Sequence, residues 1–464
     1  MTYGAVTPEI IDHLVSLLGP DAVSTGMSDR ETHAGDESTH SPVVPDVVVY
    51  PASTEQVSHV VGVASVHRIP VTPYGAGTGV EGNAIPLAAG IVVDFRDLDS
   101  IELHADDFQV TVGAGVLRLD LEDHLGRHGL FFPPDPGANA TIGGMIANNA
   151  AGIRSLKYGA TRDNVLAMTV VLADGRIIKT GSRSVKQSAG YDLRHLIIGS
   201  EGTLGLVTSA TLKVAPRPEH FATAVVAFPE VATAAEVVHG ILGLGLEPAA
   251  LELLHRYHVK WMNEDEDAGL TEAPSLMIDF NGSDARSVDG AMDETLGVCE
   301  ASGSIGVLRA SGHEERAELW RLRHGTRERY VRRHPGKQII SVDVSVPISE
   351  FAGTVAHAEA TAAEKGFDLS MVGHAGDGNL HMAVIYDPEE PTAPERAEAL
   401  AQEVVLRAIE VGGTSTGEHG TGIGKRQYLS AEFGDDAVVA MRAIKQALDP
   451  HGILNPGKVL PEAP

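Results

Sequence analysis

Pro73-Tyr74-Gly75-Ala76-Gly77-Thr78-Gly79-Val80-Glu81-Gly82-Asn83 is the stretch on which the fold turns. It follows a short run, Val71–Pro73, that reads as a strand. Gly77, Gly79 and Gly82 satisfy the spacing G-x-G-x-x-G. A dinucleotide site of the strand–turn–helix kind needs a helix to start there, with its N-terminus facing the pyrophosphate. The next residues, Asn83 to Gly90, do not read as a helix, and Pro86 would interrupt one. That reading therefore fails. Two remain: a nest of backbone N–H groups that can cradle phosphate without a cationic side chain, or a tight glycine turn between strands.

Two further stretches share this texture. One runs from Pro133-Pro134-Asp135-Pro136-Gly137 through Thr141-Ile142-Gly143-Gly144-Met145-Ile146-Ala147-Asn148-Asn149-Ala150-Ala151-Gly152. The other is Gly199-Ser200-Glu201-Gly202-Thr203-Leu204-Gly205. Both carry few large side chains, so a flat ligand can lie close to the backbone. Three such loops in one region point to an extended nucleotide cofactor. Gly420–Lys425 is not a P-loop, because His419 stands where the first glycine is required and Arg426 replaces Ser or Thr.

Outward from these loops, residues 1–41 form an N-terminal helical segment. Residues 42–216 alternate short β-rich runs with short helices. Pro216-Arg217-Pro218 marks a boundary, since two close prolines stop helix and sheet alike. Over 217–415 the order of strands and helices suggests an antiparallel sheet with helices on one face, including one long helical stretch over 314–333. Residues 416–464 close the chain. The fold class is α+β.

The chain has 464 residues and a formal net charge of -28, which argues against broad binding to nucleic acid or anionic lipid. One cysteine, Cys299, excludes an internal disulfide, a Cys-ligated iron–sulfur cluster and a zinc finger. No apolar run approaches the ~20 residues of a membrane span. The N-terminus lacks a basic leader and carries Glu9 and Asp12, so it reads as a short amphipathic helix. The expected location is the cytoplasm, with a peripheral membrane contact through an electron acceptor left open.

The sharpest motif is Gly373-His374-Ala375-Gly376-Asp377-Gly378-Asn379-Leu380-His381. Asp-Gly favours a turn, and a turn there can bring both imidazoles to one point. Gly417-Glu418-His419-Gly420 sits in a second glycine-rich loop. Two histidines and a carboxylate with open positions form a catalytic metal pattern, which leaves His419 as a base. The plain alternative is a pair of loop histidines bonded to backbone, in a chain with 21 histidines.

Taken together, the three glycine-rich stretches resemble, in order and spacing over about 42–216, the FAD-binding domain of the vanillyl-alcohol oxidase type. The resemblance implies that Tyr74, Gly75, Gly77, Thr78 and Gly79, with Ala76 among them, hold phosphate. It implies that Pro134, Asp135, Thr141, Gly144, Asn148, Gly152, Glu201 and Gly202, with Asn455, hold the rest of a noncovalent FAD. G-H-x-G-D-G-N-L-H and G-E-H-G resemble the D-lactate dehydrogenase, glycolate oxidase subunit and D-2-hydroxyglutarate dehydrogenase group. That resemblance implies a divalent metal, zinc or manganese or iron, on His374, His381 and Glu418, with His419 taking the substrate hydroxyl proton.

The ending, Asp449-Pro450-His451-Gly452-Ile453-Leu454-Asn455-Pro456-Gly457-Lys458, also matches and implies a return to the first domain. Leu319-Trp320-Arg321-Leu322-Arg323 resembles the family's L-W-x-x-R, which assigns the substrate carboxylate to Arg323. Members acting on 2-hydroxyglutarate carry a lysine where this chain has Ser341, so the expected substrate is a short D-2-hydroxy acid, D-lactate first. A flavin subunit of a multi-subunit glycolate oxidase, a D-2-hydroxyglutarate dehydrogenase, and a non-catalytic nucleotide- or metal-binding scaffold are the rivals. The electron acceptor (quinone, cytochrome, flavoprotein or oxygen) and a homodimer are left open by the sequence.

Overall fold

The computed structural model describes residues 2–310 and 312–462. The chain divides into two compact units. The first comprises the residues up to Ala151, Gly159–Arg217, and the segment from Glu418 onward. The second comprises Gly152–Tyr158 and Pro218–Gly417.

In the first unit, Val47–Val49 and Ile91–Asp94 are buried along their whole length. The apolar runs Val47–Val49 and Ile91–Val93 suit a sheet covered on both faces. They pair in parallel with each other, and Ile91–Asp94 pairs in parallel with Val71–Tyr74. The helix Thr54–His67 starts where the Ser53 hydroxyl accepts the Gln56 N–H, and it ends at Arg68 in the left-handed region. Its Val57, Val60, Val61 and Ala64 fill the core above this sheet. The C-terminal segment reaches the same sheet: Val71 N–H donates to Ile453 O at 2.8 Å, and Asn455 N–H to Val71 O at 2.8 Å. A second, antiparallel sheet runs in the order Ile101–His104, Gln109–Gly113, Leu206–Lys213, Val165–Val171, Ile177–Gly181.

The second unit is built on a seven-stranded sheet. Its order is Gly306–Arg309, His220–Ala227, Ser275–Gly282, Ala250–Leu254, Leu369–His374, Asn379–Tyr386, Gln338–Ser345. All neighbouring pairs are antiparallel. The helices Val231–Gly243, Ala285–Ala301, Ile348–Lys365 and Ala393–Glu410 form one layer against it.

The opposite face is not left bare. Val225, Ala250, Leu254, Met277 and Val372 of the sheet pack there with Val259 and Met262 of the helix Arg256–Glu266. Leu319, Trp320 and Leu322 of the helix His313–His324 and Ile153 join the same cluster. Residues 152–158, which follow the second glycine-rich stretch in sequence, therefore pack with the second unit. The expected single helix over 314–333 is broken at Gly325 into His313–His324 and Thr326–Arg333. A residue without a side chain weakens the helix there.

Candidate functional site

The first unit brings the three glycine-rich stretches together. The Val71–Tyr74 strand delivers the turn, and no helix forms over 75–90. The Tyr74 ring lies against His33, with centroids 4.6 Å apart, and its hydroxyl donates to Thr32 O at 3.3 Å. Gly75 abuts Thr141, so that any Cβ at 75 would run into the Thr141 hydroxyl. Gly77 has φ +70°, which L side chains rarely adopt. Ala76, Thr78 and Gly79 complete the turn without regular structure.

The second stretch is less irregular than its composition implies. Pro134 and Asp135 are buried in an irregular segment, but Ile142–Asn148 is a short helix. Thr141 caps it, its hydroxyl accepting the Gly144 N–H at 3.2 Å. Asn148 is its last residue, and its amide reaches His419 O at 3.5 Å. Gly152, whose N–H donates to Ser155 Oγ at 3.0 Å, belongs to the second unit.

Glu201 and Asn455 are deeply buried, and their side chains hold loops to one another. The Glu201 carboxylate accepts Asn83 Nδ2–H at 2.8 Å and the N–H groups of Thr421 (2.6 Å) and Gly422 (3.0 Å). Burial pushes its pKa up, against those hydrogen bonds. Asn455 Nδ2 donates to Asn83 O at 3.0 Å and Glu201 O at 2.7 Å. Beside them, burial lowers Lys458 to about 8, and its ammonium donates to Ile85 O and Asn455 Oδ1. Gly202, with φ +71°, sits against Pro73, which ties the third stretch to the first. Glu418 and His419 open the segment that holds Thr421 and Gly422.

In the second unit the histidine motif is a hairpin. The strand Leu369–His374 ends on the first histidine, one 3-10 turn covers Ala375–Asp377, and Asn379–Tyr386 returns. Register settles which side chains share a face, because residues directly opposite point the same way. His374 stands opposite Glu252 on one side and Asn379 on the other, and His381 stands opposite Asp343. A polar row (Glu252, His374, Asn379, His381, Asp343) thus crosses four strands on the face that elsewhere buries Ala250, Leu254 and Val372.

The two imidazoles lie 5.1 Å apart between centroids at 86°, with a ring nitrogen of each within 4.8 Å of the other. His374 Nδ1 is 2.7 Å from Glu252 Oε1. His381 Nδ1 is 3.6 Å from Asp343 Oδ1. Asp343 also accepts Asn379 Nδ2–H at 2.7 Å and Gly417 N–H at 3.0 Å, and Glu418 is the next residue in the chain.

Arg323 comes down onto this row from the helix His313–His324. Its Nε donates to Glu252 Oε2 at 2.9 Å, and its Nη2 lies 2.6 Å from the same oxygen. Burial alone would raise the Glu252 pKa, but the charges and hydrogen bonds of His374 and Arg323 outweigh it and leave the pKa below the ordinary value. Ser341, two residues before Asp343 on the same strand, faces the same side.

Glu252 and Asp343 escape a motif search because neither lies in a glycine-rich signature. A signal was present nonetheless: each is a lone carboxylate inside an apolar strand, in Ala250-Leu251-Glu252-Leu253-Leu254 and Val342-Asp343-Val344. Such a group is retained at a desolvation cost of several kcal/mol unless it is paired.

Residues 45–181 match the family described as "FAD binding domain", and residues 217–459 match "FAD linked oxidases, C-terminal domain". The chain is 37% identical over 460 residues to the probable mitochondrial D-lactate dehydrogenase of Danio rerio, covering 98% of this chain and 92% of that protein. It is 36% identical over 458 residues to glycolate oxidase subunit GlcD of Bacillus subtilis (strain 168), covering 98% and 97%. Among solved structures, p-cresol methylhydroxylase with substrate bound superposes with a TM-score of 0.80 at 19% identity, over 97% of this chain and 96% of that one. At that identity the likeness speaks to fold alone.

Proposed function

The chain belongs to the FAD-linked oxidase family, and from that premise we propose that it oxidises a short D-2-hydroxy acid, D-lactate in preference to glycolate, to the 2-oxo acid. It has the α+β fold of vanillyl-alcohol oxidase-type FAD enzymes, with an FAD-binding domain. It is an FAD-dependent D-2-hydroxy acid dehydrogenase.

The observation that carries the substrate reading is the polar row in the second unit. Two imidazoles and a guanidinium converge on one sheet face, and Ser341, on that same face, supplies no cation for a second carboxylate. The donor chemistry fits a divalent ion: imidazole nitrogens are usual ligands for zinc and similar ions, and a carboxylate completes such sets. We assign His374, His381 and Glu418 as its ligands. A bound FAD would supply the hydride acceptor for C2 of the substrate, and a bound metal would supply Lewis acidity at the substrate hydroxyl.

The chain's own groups do the rest. His419 removes the hydroxyl proton. Arg323, whose planar fork has donors beyond those given to Glu252, binds the substrate carboxylate and fixes which face of C2 is presented. Tyr74, Gly75, Ala76, Gly77, Thr78 and Gly79 form the turn whose backbone N–H groups hold the cofactor phosphates. Pro134, Asp135, Thr141, Gly144, Asn148, Gly152, Glu201, Gly202 and Asn455 shape the rest of the cofactor site.

Steady-state rates with an artificial acceptor test the substrate order. D-lactate is expected to give the highest kcat/KM, with glycolate below it and D-2-hydroxyglutarate at least about tenfold lower, as expected when one carboxylate lacks a partner. D-2-hydroxyglutarate as the best substrate would overturn the reading. The match to glycolate oxidase subunit GlcD over 97% of that protein favours one second reading, a flavin subunit that needs partners. Flavin reduction by glycolate without steady turnover would support that reading instead.

A further inference from the structure

We propose that Glu252 is a positioning residue that serves both functional arms of the site at once, one carboxylate oxygen orienting His374 and the other orienting Arg323. The proposal rests on the assignment of His374 to the metal and Arg323 to the substrate carboxylate.

The geometry divides cleanly. Oε1 meets His374 Nδ1 at 2.7 Å, while Oε2 meets Arg323 Nε at 2.9 Å and Nη2 at 2.6 Å. Glu252 is fully buried in a strand whose other residues are apolar. A hydrophobic residue would serve that strand at least as well, since buried ion pairs are often neutral or costly compared with packed apolar side chains. Its retention therefore calls for a role beyond folding.

That role follows from what a carboxylate can do. Ionised, it only accepts hydrogen bonds. The proton of His374 must then sit on Nδ1, which leaves the Nε2 lone pair for a metal and fixes the ring's rotation. A carboxylate behind a ligating imidazole also raises its basicity. The same group neutralises Arg323 and sets the plane of its guanidinium.

Glu252→Gln is the discriminating variant. A carboxamide has one acceptor oxygen where the carboxylate has two. It can satisfy His374 or Arg323, but its amino group must then face a donor. Asp279→Asn is the control: Asp279 lies on the same sheet face, is also buried, and pairs with Arg316 two helical turns before Arg323, and its hydrogen bonds run to Thr223 and Arg316, not to a histidine, among the described residues.

The FAD-loaded proteins would be stripped with a chelator and titrated with zinc or manganese against a chromophoric competitor. Glu252→Gln is expected to weaken metal binding ~10–100-fold and to raise KM for the hydroxy acid by more than it changes KM for the electron acceptor. FAD content should be unchanged, and Asp279→Asn should bind metal as wild type does. Wild-type metal affinity in Glu252→Gln would overturn the proposal and leave the functional reading standing. A wild-type protein that takes up neither metal would overturn the metal assignment, and the proposal with it. If Glu252→Gln does not fold, Glu252→Asp keeps both acceptors but withdraws them by about one C–C bond, ~1.5 Å. The same loss is expected there, and unaltered affinity would overturn the proposal.

Discussion

The histidines assigned to the chemistry reach their places by two physical routes. His374 and His381 are fixed by strand register and by carboxylates behind them. His419 sits in a glycine-rich loop that Glu201 anchors through the N–H groups of Thr421 and Gly422. A general base needs only the right atom at the right distance, and its loss removes proton transfer without removing binding. His419→Ala should therefore keep FAD and metal and slow flavin reduction by D-lactate by about 100- to 10,000-fold. Stopped-flow absorbance reads this directly, and a wild-type reduction rate would remove His419 from the mechanism. At this scale the sequence singles out His374, His381, Glu418 and His419 because a residue type and a glycine-rich setting coincide there. It shows Glu252 and Asp343 only as lone carboxylates in apolar runs, because their partners depend on which strands become neighbours.

Among the elements, the first two glycine-rich stretches lock together through Gly75 and Thr141. The Thr141 hydroxyl caps the helix Ile142–Asn148, and a methyl group on residue 75 would occupy its place. Gly75→Ala must displace either the turn or the cap. Overpacking of this kind costs ~1–3 kcal/mol, and a lost cap adds ~1 kcal/mol. The variant should purify with less FAD per chain than wild type, measured by the ratio of flavin to protein absorbance, and full FAD occupancy would show that the contact relaxes without consequence.

Strands and helices with strong patterns are readable, as in the amphipathic helix Asp435–Leu448. The strand Ala250–Leu254 is not readable, because five buried residues interrupted by a carboxylate carry no alternation. The helix Ile142–Asn148 is hidden by its glycines, and tertiary context with the Thr141 cap overrides their poor propensity. The break at Gly325 is hidden for the opposite reason, since charged residues on both sides favour continuing the helix.

On the scale of the whole molecule, the chain passes between its two units four times, at about 151, 158, 217 and 417. The sequence sets boundaries beside two of these passages, at Pro216-Arg217-Pro218, where proline has a local signature, and at 415/416. It does not mark 152–158, where a short segment joins the second unit through Ile153 and a Lys157 ammonium bonded to Asn281. The return of the last residues to the first unit is carried by backbone pairing at Ile453–Asn455. Among the described residues no helix is long and apolar enough to cross a membrane.

Reduction of bound FAD by a D-2-hydroxy acid is the step on which the proposed function stands. It is tested most directly by the visible spectrum of the purified protein under anaerobic conditions, before and after addition of D-lactate or L-lactate. The flavin band is expected to bleach with D-lactate, with one pyruvate formed per flavin, and to persist with L-lactate. A flavin band that survives D-lactate, glycolate and D-2-hydroxyglutarate alike would contradict it.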